Sequence, residues 1–164
     1  MFLGWLIMLE IYHQYSLAIE LLNRRARVSI IHRETGIPKE LLRKTYNELH
    51  GCSPSRGAVK YSTQGLTRNN KNYLEVTLFA VCFAKVDSIS QESCIKKIIQ
   101  AFDIYKQIIP TGQLSFSAAW VIAKDIALRA IELRPCNHCG APVLLNAREN
   151  GIDRCGVCRT KFNQ

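Results

Sequence analysis

Apolar residues recur at a helical spacing along most of this chain, and the pattern predicts a mainly α-helical fold. It indicates helices over residues 9–22, 27–35, 38–49, 70–86 and 116–133. A further helix follows a capping pattern at residues 88–91 and turns its apolar side chains between residues 95 and 109 inward. Residues 52–68, which contain several Ser, Pro and Gly, form the predicted loop or hinge before the fourth helix.

The first nine residues are almost all apolar, which raises the question of a membrane segment. A membrane-spanning helix needs ~20 such residues, and this stretch lacks the basic region and the cleavage site of a signal peptide. It is predicted either to begin a buried helix or to be an atypical start of the chain. We therefore expect a cytoplasmic protein whose seven cysteines are reduced, so that clustered cysteines indicate metal ligands.

Residues 135–164 contain two C-x2-C pairs with fifteen residues between them: Cys136 and Cys139, then Cys155 and Cys158. A structural zinc site needs four soft ligands at the corners of a tetrahedron, and each C-x2-C turn supplies two thiolates. Asn150-Gly151 predicts a hairpin turn that would fold the second pair onto the first, as in a zinc ribbon. The pattern therefore predicts one structural Zn²⁺.

Two alternatives for these cysteines are weaker. A redox switch would need only one C-x2-C pair. A catalytic zinc site would keep one coordination position open for water, whereas four cysteines fill all four positions.

Basic residues exceed acidic residues by 22 to 13, and most of the excess lies in one segment. Residues 23–60 contain nine basic and three acidic residues, a net charge of +6 out of the chain's total of +9. Such a concentration indicates a polyanionic partner, with nucleic acid first and an acidic membrane surface second.

Residues 27–49 within this segment have helix–turn–helix form. Gly36 permits the left-handed turn between the two helices, and Ile31, Ile37 and Leu42 occupy the positions that pack them together. The second helix would lie in a major groove. The candidate DNA contacts are Arg33, for phosphates, and Lys39, Arg43, Lys44 and Asn47, for base edges. The alternative is a solvated basic face on an ordinary helical hairpin.

Five segments then carry a resemblance to a known family: Leu17-Ala18-Ile19-Glu20-Leu21, Ala26-Arg27, Glu34-Thr35-Gly36-Ile37, Leu42-Arg43-Lys44-Thr45-Tyr46-Asn47-Glu48-Leu49 and Gly51-Cys52-Ser53-Pro54-Ser55-Arg56-Gly57. With the later helices and the C-x2-C pairs in the same order, the chain resembles a diverged member of the FlhC family of flagellar master regulators. The resemblance implies an all-α body with a C-terminal zinc site. It carries the ligand role over to Cys136, Cys139, Cys155 and Cys158. It also implies transcription activation with a second subunit, FlhD, in a hetero-oligomer.

The sequence thus predicts a helical DNA-binding and oligomerisation domain over residues 1–134 and a four-cysteine zinc module over residues 135–164. The expected function is activation of flagellar genes in the bacterial cytoplasm, through double-stranded promoter DNA, an FlhD-type subunit and RNA polymerase. The alternative is a zinc-stabilised assembly adaptor without specific DNA binding. An enzyme is not expected, because the chain has no carboxylate–histidine cluster and no glycine-rich phosphate loop.

Overall fold

The computed structural model describes residues 2–55, 57, 62–63, 70–146, 155 and 158. Its elements are α1 (Phe2–Asn23), α2 (Val28–Thr35), α3 (Lys39–His50), α4 (Asn70–Ile89), α5 (Cys94–Ile108), α6 (Phe116–Ala127), β1 (Ile131–Pro135) and β2 (Pro142–Asn146). The two strands form an antiparallel sheet that pairs Ile131 with Asn146 and Pro135 with Pro142. The mainly α fold class is confirmed, because helices make up most of the described chain and the small sheet lies beside a C-terminal cluster of four cysteines.

The chain divides into two compact units that interleave in sequence. One comprises Met1–Val59 with Ser115–Ser117, and the other comprises Lys60–Leu114 with Ala118–Gln164. The predicted division into residues 1–134 and 135–164 does not coincide with these units. That residues 135–164 fold as a separate module stays a prediction.

The core of the first unit forms where the C-terminal end of α1 meets α2 and α3. Its buried residues include Ala18, Leu21, Leu22, Ile30, Ile31, Ile37, Leu42 and Tyr46. The ring of His50 joins α3 to α1, because its Nε2 donates to the carbonyl of Leu22 at 2.8 Å. The same ring lies 4.5 Å from that of Tyr46, so the end of α3 is fixed by a polar and an aromatic contact.

The buried face of α3 does not include all of its leucines. Leu41 and Leu49 are apolar but are 42% and 48% exposed. The helix buries Leu42 and Tyr46 instead, which lie one turn apart. The buried stripe is narrow because α3 is mostly polar, so leucines at its margins remain in solvent.

The apolar residues at the start of α1 are helical but not buried. Trp5, Leu6, Ile7 and Met8 are each between 54% and 63% exposed, whereas burial of α1 begins only at Ala18. Of the two alternatives given for this stretch, the start of a buried helix is therefore wrong at the first turns. Among the described residues, no helix combines the length and apolar character required to cross a membrane.

The second unit is centred on α4 and α5, whose large buried side chains include Val76, Phe79, Ile98 and Tyr105. The carboxylate of Glu75 organises one end of this core, accepting hydrogen bonds at 2.8–2.9 Å from the Tyr105 hydroxyl and from the main-chain N–H groups of Gln113 and Leu114. Burial raises the pKa of Glu75, but these hydrogen bonds and the nearby Lys71 outweigh it and hold the pKa below its ordinary value.

Two predicted boundaries in this unit are wrong. The last helix ends at Ala127 rather than at residue 133, because Arg129 adopts a left-handed conformation at φ 54° and residues 131–135 pair as β1. Apolar and polar residues alternate in Ile131-Glu132-Leu133-Arg134, which is a strand signal. The predicted helix over residues 116–133 extended into this segment. Likewise, the pattern at residues 88–91 does not cap α5. Helix α4 continues through Ile89, and α5 begins at Cys94 after Ser93.

Candidate metal centre and basic helix pair

The first C-x2-C pair lies in the tight connection between β1 and β2. The N–H of Cys136 donates to Ala141 at 2.8 Å, and the N–H of Gly140 donates to Cys136 at 2.9 Å. Gly140 has φ 71°, which a glycine adopts without a Cβ penalty. The hairpin predicted at Asn150-Gly151 lies outside the described residues. The hairpin that presents Cys136 and Cys139 is a different one, which the sequence pattern did not predict.

The four cysteines of the two pairs come together in one cluster, with all four sulfurs within 4.8 Å of one another. The sulfur of Cys136 lies 3.8 Å from that of Cys158, and the sulfur of Cys155 lies 3.6 Å from Cys158 and 3.5 Å from Cys139. Metal–sulfur bonds of about 2.3 Å place the corners of a tetrahedron ~3.8 Å apart. The donor set and its spacing therefore fit one tetrahedral metal ion.

The protonation chemistry of the cluster also favours a cation. Main-chain N–H groups of Cys139 and His138 point at the Cys136 sulfur and lower its pKa to about 6. Hydrogen bonding with the Cys139 sulfur, followed by burial, raises the pKa of Cys158 to about 12. Four thiolates this close repel one another, so full deprotonation at neutral pH requires a bound metal ion.

An apolar shell surrounds this cluster. Cys136, Cys155 and Cys158 are buried against Val143 and Leu145, whereas Cys139 is exposed. Such a shell keeps water from three of the four sulfurs. Of the remaining cysteines, Cys82 is buried while Cys52 and Cys94 are exposed, and the metal cluster found among the described residues includes none of them.

Tyr73 in α4 anchors the hairpin from the side of the helix. Its hydroxyl donates to the carbonyl of Leu144 at 3.0 Å and accepts from the N–H of Leu144 at 3.2 Å. The tyrosine also packs against the apolar shell of the cluster. No sequence signal identified this residue, because the contact joins positions 71 residues apart.

The α2–α3 turn in the first unit has the predicted form. Gly36 is left-handed at φ 72°, and Ile31, Ile37 and Leu42 are buried. Two polar residues complete the turn. The Thr35 hydroxyl donates to Ile31 at 2.7 Å and accepts from the N–H of Ile37, while His32 Nδ1 donates to the carbonyl of Ile37 at 2.8 Å. Thr35 and His32 therefore stabilise the turn through hydrogen bonds.

The five predicted DNA-contact residues are all exposed: Arg33, Lys39, Arg43, Lys44 and Asn47. Two of them share a concave site formed by described residues. Lys39 and Arg43, one turn apart on α3, line a cavity of about 310 Å³ together with Arg27. Residues 54, 55 and 57 also line the cavity, and the sequence pattern did not predict this enclosure.

Comparison with known proteins identifies the family. The family model described as "Flagellar transcriptional activator (FlhC)" matches residues 7–162. The chain is 27% identical over 158 residues to the flagellar transcriptional regulator FlhC of Cupriavidus necator, covering 92% of this chain and 76% of the relative. It is 26% identical over 150 residues to that of Serratia marcescens, covering 87% and 76%. This class of transcriptional regulators is not an enzyme class. The match spans nearly the whole sequence, and the chain belongs to the FlhC family of flagellar transcriptional activators.

Proposed function

We propose that this protein is a DNA-binding activator of flagellar genes that inserts α3 into the major groove of promoter DNA. The observation that carries the proposal is the exposed polar face of α3, where Lys39, Arg43, Lys44 and Asn47 stand beside the left-handed turn at Gly36. Membership of a family of transcriptional activators agrees with this role.

The side chains on this face suit DNA chemistry. Lysine and arginine donate to phosphates and to guanine, and asparagine can pair with adenine in the major groove. Arg33 in α2 is exposed and suits a phosphate contact. The buried Ile31, Ile37 and Leu42 hold α2 and α3 together, so the exposed residues are presented on a rigid pair rather than on a loop.

We propose further that the metal of the cysteine cluster is zinc, held by Cys136, Cys139, Cys155 and Cys158. Four thiolates at tetrahedral spacing are typical of structural zinc, which closes all four positions. Zinc would supply positive charge and fixed geometry rather than reactivity. The β1–β2 hairpin and residues 155 and 158 would then form the core of a zinc module over residues 135–164.

The proposal also includes a protein partner, an FlhD-type subunit, bound in a hetero-oligomer in the bacterial cytoplasm. The apolar first turns of α1 support a protein interface, because Trp5, Leu6, Ile7 and Met8 are mostly exposed. Contiguous exposed apolar surface of this kind is typical of interaction sites. RNA polymerase would be recruited by the assembled complex at the promoter.

The direct test is binding of the zinc-loaded protein to labelled flagellar-promoter DNA and to a scrambled duplex, with and without an FlhD-type subunit, across a salt series. We expect a preference for the promoter, a steep loss of affinity with salt, and tighter binding with the partner. Equal, weak binding to both duplexes would contradict the proposal. It would favour the assembly adaptor, which the exposed apolar end of α1 also suits.

A further inference from the structure

The cavity beside α3 is strongly cationic. It has a volume of about 310 Å³, and its lining includes Arg27, Lys39 and Arg43 together with the hydroxyl residues Ser29 and Ser55. Among the described residues that line it, none is acidic. Three positive charges in one concavity repel one another, and an anion in the cavity would relieve this repulsion.

Arg27 is held in place within this cavity. Its Nη1 donates to the carbonyl of Gly57 at 2.7 Å, and its main-chain N–H donates to the hydroxyl of Ser117 at 3.1 Å. Gly57 has φ 96°, a conformation that favours glycine. The guanidinium is therefore fixed before a ligand arrives, which reduces the entropy lost when an anion binds.

The volume of the cavity and its hydrogen-bond donors determine which kind of anion it can bind. A volume of about 310 Å³ is at the lower end of the range for small-molecule pockets, ~300–1,000 Å³. It suits a single phosphate group. Guanidinium groups pair with two phosphate oxygens at once, an ammonium adds a point charge, and serine hydroxyls can donate further hydrogen bonds.

We propose that this cavity binds one backbone phosphate of the DNA duplex, next to the bases that α3 reads. The inference rests on the proposed DNA-binding function and refines it. Lys39 and Arg43 face the cavity, so they anchor a phosphate, whereas Lys44 and Asn47 remain for base edges. Phosphate contacts fix the register of a protein on DNA but carry no sequence information.

Ser29→Asp tests the cavity with little risk to the fold. Ser29 is exposed in the first turn of α2, where an acidic residue interacts favourably with the helix dipole. The matched control is Ser93→Asp, which makes the same change at the start of α5, outside the cavity. Both variants should keep the wild-type circular dichroism spectrum.

We expect Ser29→Asp to weaken binding to promoter and scrambled duplexes by the same factor, roughly tenfold at low salt. The slope of log affinity against log salt should fall by about 1, as for one lost phosphate contact. Ser93→Asp should stay within about twofold of wild type. Should Ser29→Asp fail to fold, Arg43→Gln at an exposed position should give the same uniform loss.

The outcomes separate this inference from the function on which it rests. If the wild type prefers the promoter but Ser29→Asp binds like Ser93→Asp, the phosphate site is wrong and the DNA-binding function stands. A loss confined to the promoter duplex would also overturn the phosphate site, since it would mean base readout. If the wild type binds neither duplex, both the phosphate site and the proposed DNA-binding function are wrong. If inorganic phosphate raises the melting temperature of the wild type but Ser29→Asp does not change DNA binding, the cavity binds free phosphate instead of a DNA phosphate.

Discussion

The cysteine cluster and the basic helix pair present their chemistry in opposite ways. The cluster depends on four identical side chains within 4.8 Å, three of them buried, and its spacing admits one metal ion. The basic pair spreads its charges over an exposed surface that includes Lys39, Arg43 and Lys44. The metal site is expected to lose its ion when a single cysteine is replaced. The charged surface is expected to lose DNA affinity gradually, with each charge that is removed.

The largest effect is expected for Cys155→Ser, which should abolish metal binding and unfold the β1–β2 hairpin. Structural zinc contributes roughly 10–16 kcal/mol of apparent binding free energy in small zinc domains. Metal content by atomic absorption and hairpin signals by NMR would measure the change. Cys52→Ser, at an exposed cysteine outside the cluster, should keep the metal. Unchanged metal content in Cys155→Ser would refute the metal centre.

The next largest effect is expected for the double variant Arg43→Ala with Lys44→Ala. Removing two exposed charges should weaken DNA binding by about 10–100-fold and reduce its salt dependence, while the melting temperature stays near that of wild type. Lys85→Ala with Lys96→Ala removes the same charge from exposed positions on α4 and α5. If both double variants lose equal affinity, net charge rather than the α3 face determines binding.

Glu75→Gln tests how the stability of the second unit depends on pH. The folded pKa of Glu75 is below its ordinary value near 4.5, so its stabilisation is present above that value and is lost as the pH falls through the folded pKa. We expect the variant to unfold more easily at pH 7, by about 1–3 kcal/mol. The difference from wild type should shrink as the pH falls below 4.5.

Chemical denaturation of Glu75→Gln from pH 3 to pH 7 would measure this dependence, with Glu92→Gln at an exposed carboxylate as the control. Metal loss at low pH would affect the wild type and both variants alike. A constant difference between Glu75→Gln and wild type over the whole range would contradict the role assigned to the carboxylate.

Tyr73→Phe should have the smallest effect of the four. It leaves the N–H and the carbonyl of Leu144 without the phenol, at a cost of about 1–2 kcal/mol in the free energy of unfolding. The metal should stay bound, with faster hydrogen exchange at the Leu144 amide. Tyr12→Phe, at a tyrosine that is 66% exposed, is the matched control. Exchange at Leu144 equal to that of the wild type would show that water replaces the phenol without loss.

The sequence predicted the helices and the cysteine cluster because both follow from short spacings. Helical periodicity indicated the regions of the six helices in the described part of the chain, and two C-x2-C pairs indicated four sulfurs in one place. The short strand at residues 131–135 was missed because it holds only two apolar–polar alternations, which a preceding apolar helix obscures. Its strand conformation depends on pairing with β2.

Contacts between distant residues could not be predicted in the same way. The cavity beside α3 depends on where the chain places residues 54, 55 and 57, and on the bond from Arg27 to Gly57, thirty positions away. Hydrophobicity indicated burial at the start of α1, but burial depends on what packs against a helix. Trp5 and Met8 therefore remain exposed although they lie in α1.

The bond between Tyr73 and the hairpin has a consequence for self-association. In an antiparallel ladder, the N–H and carbonyl of one residue point to the same side of the strand, and the phenol occupies both groups of Leu144. An unpaired strand edge is a template on which another chain can add a strand. A third strand that paired with β2 at Leu144 would first have to displace Tyr73. The hydroxyl group of this tyrosine therefore disfavours intermolecular β-sheet formation at Leu144.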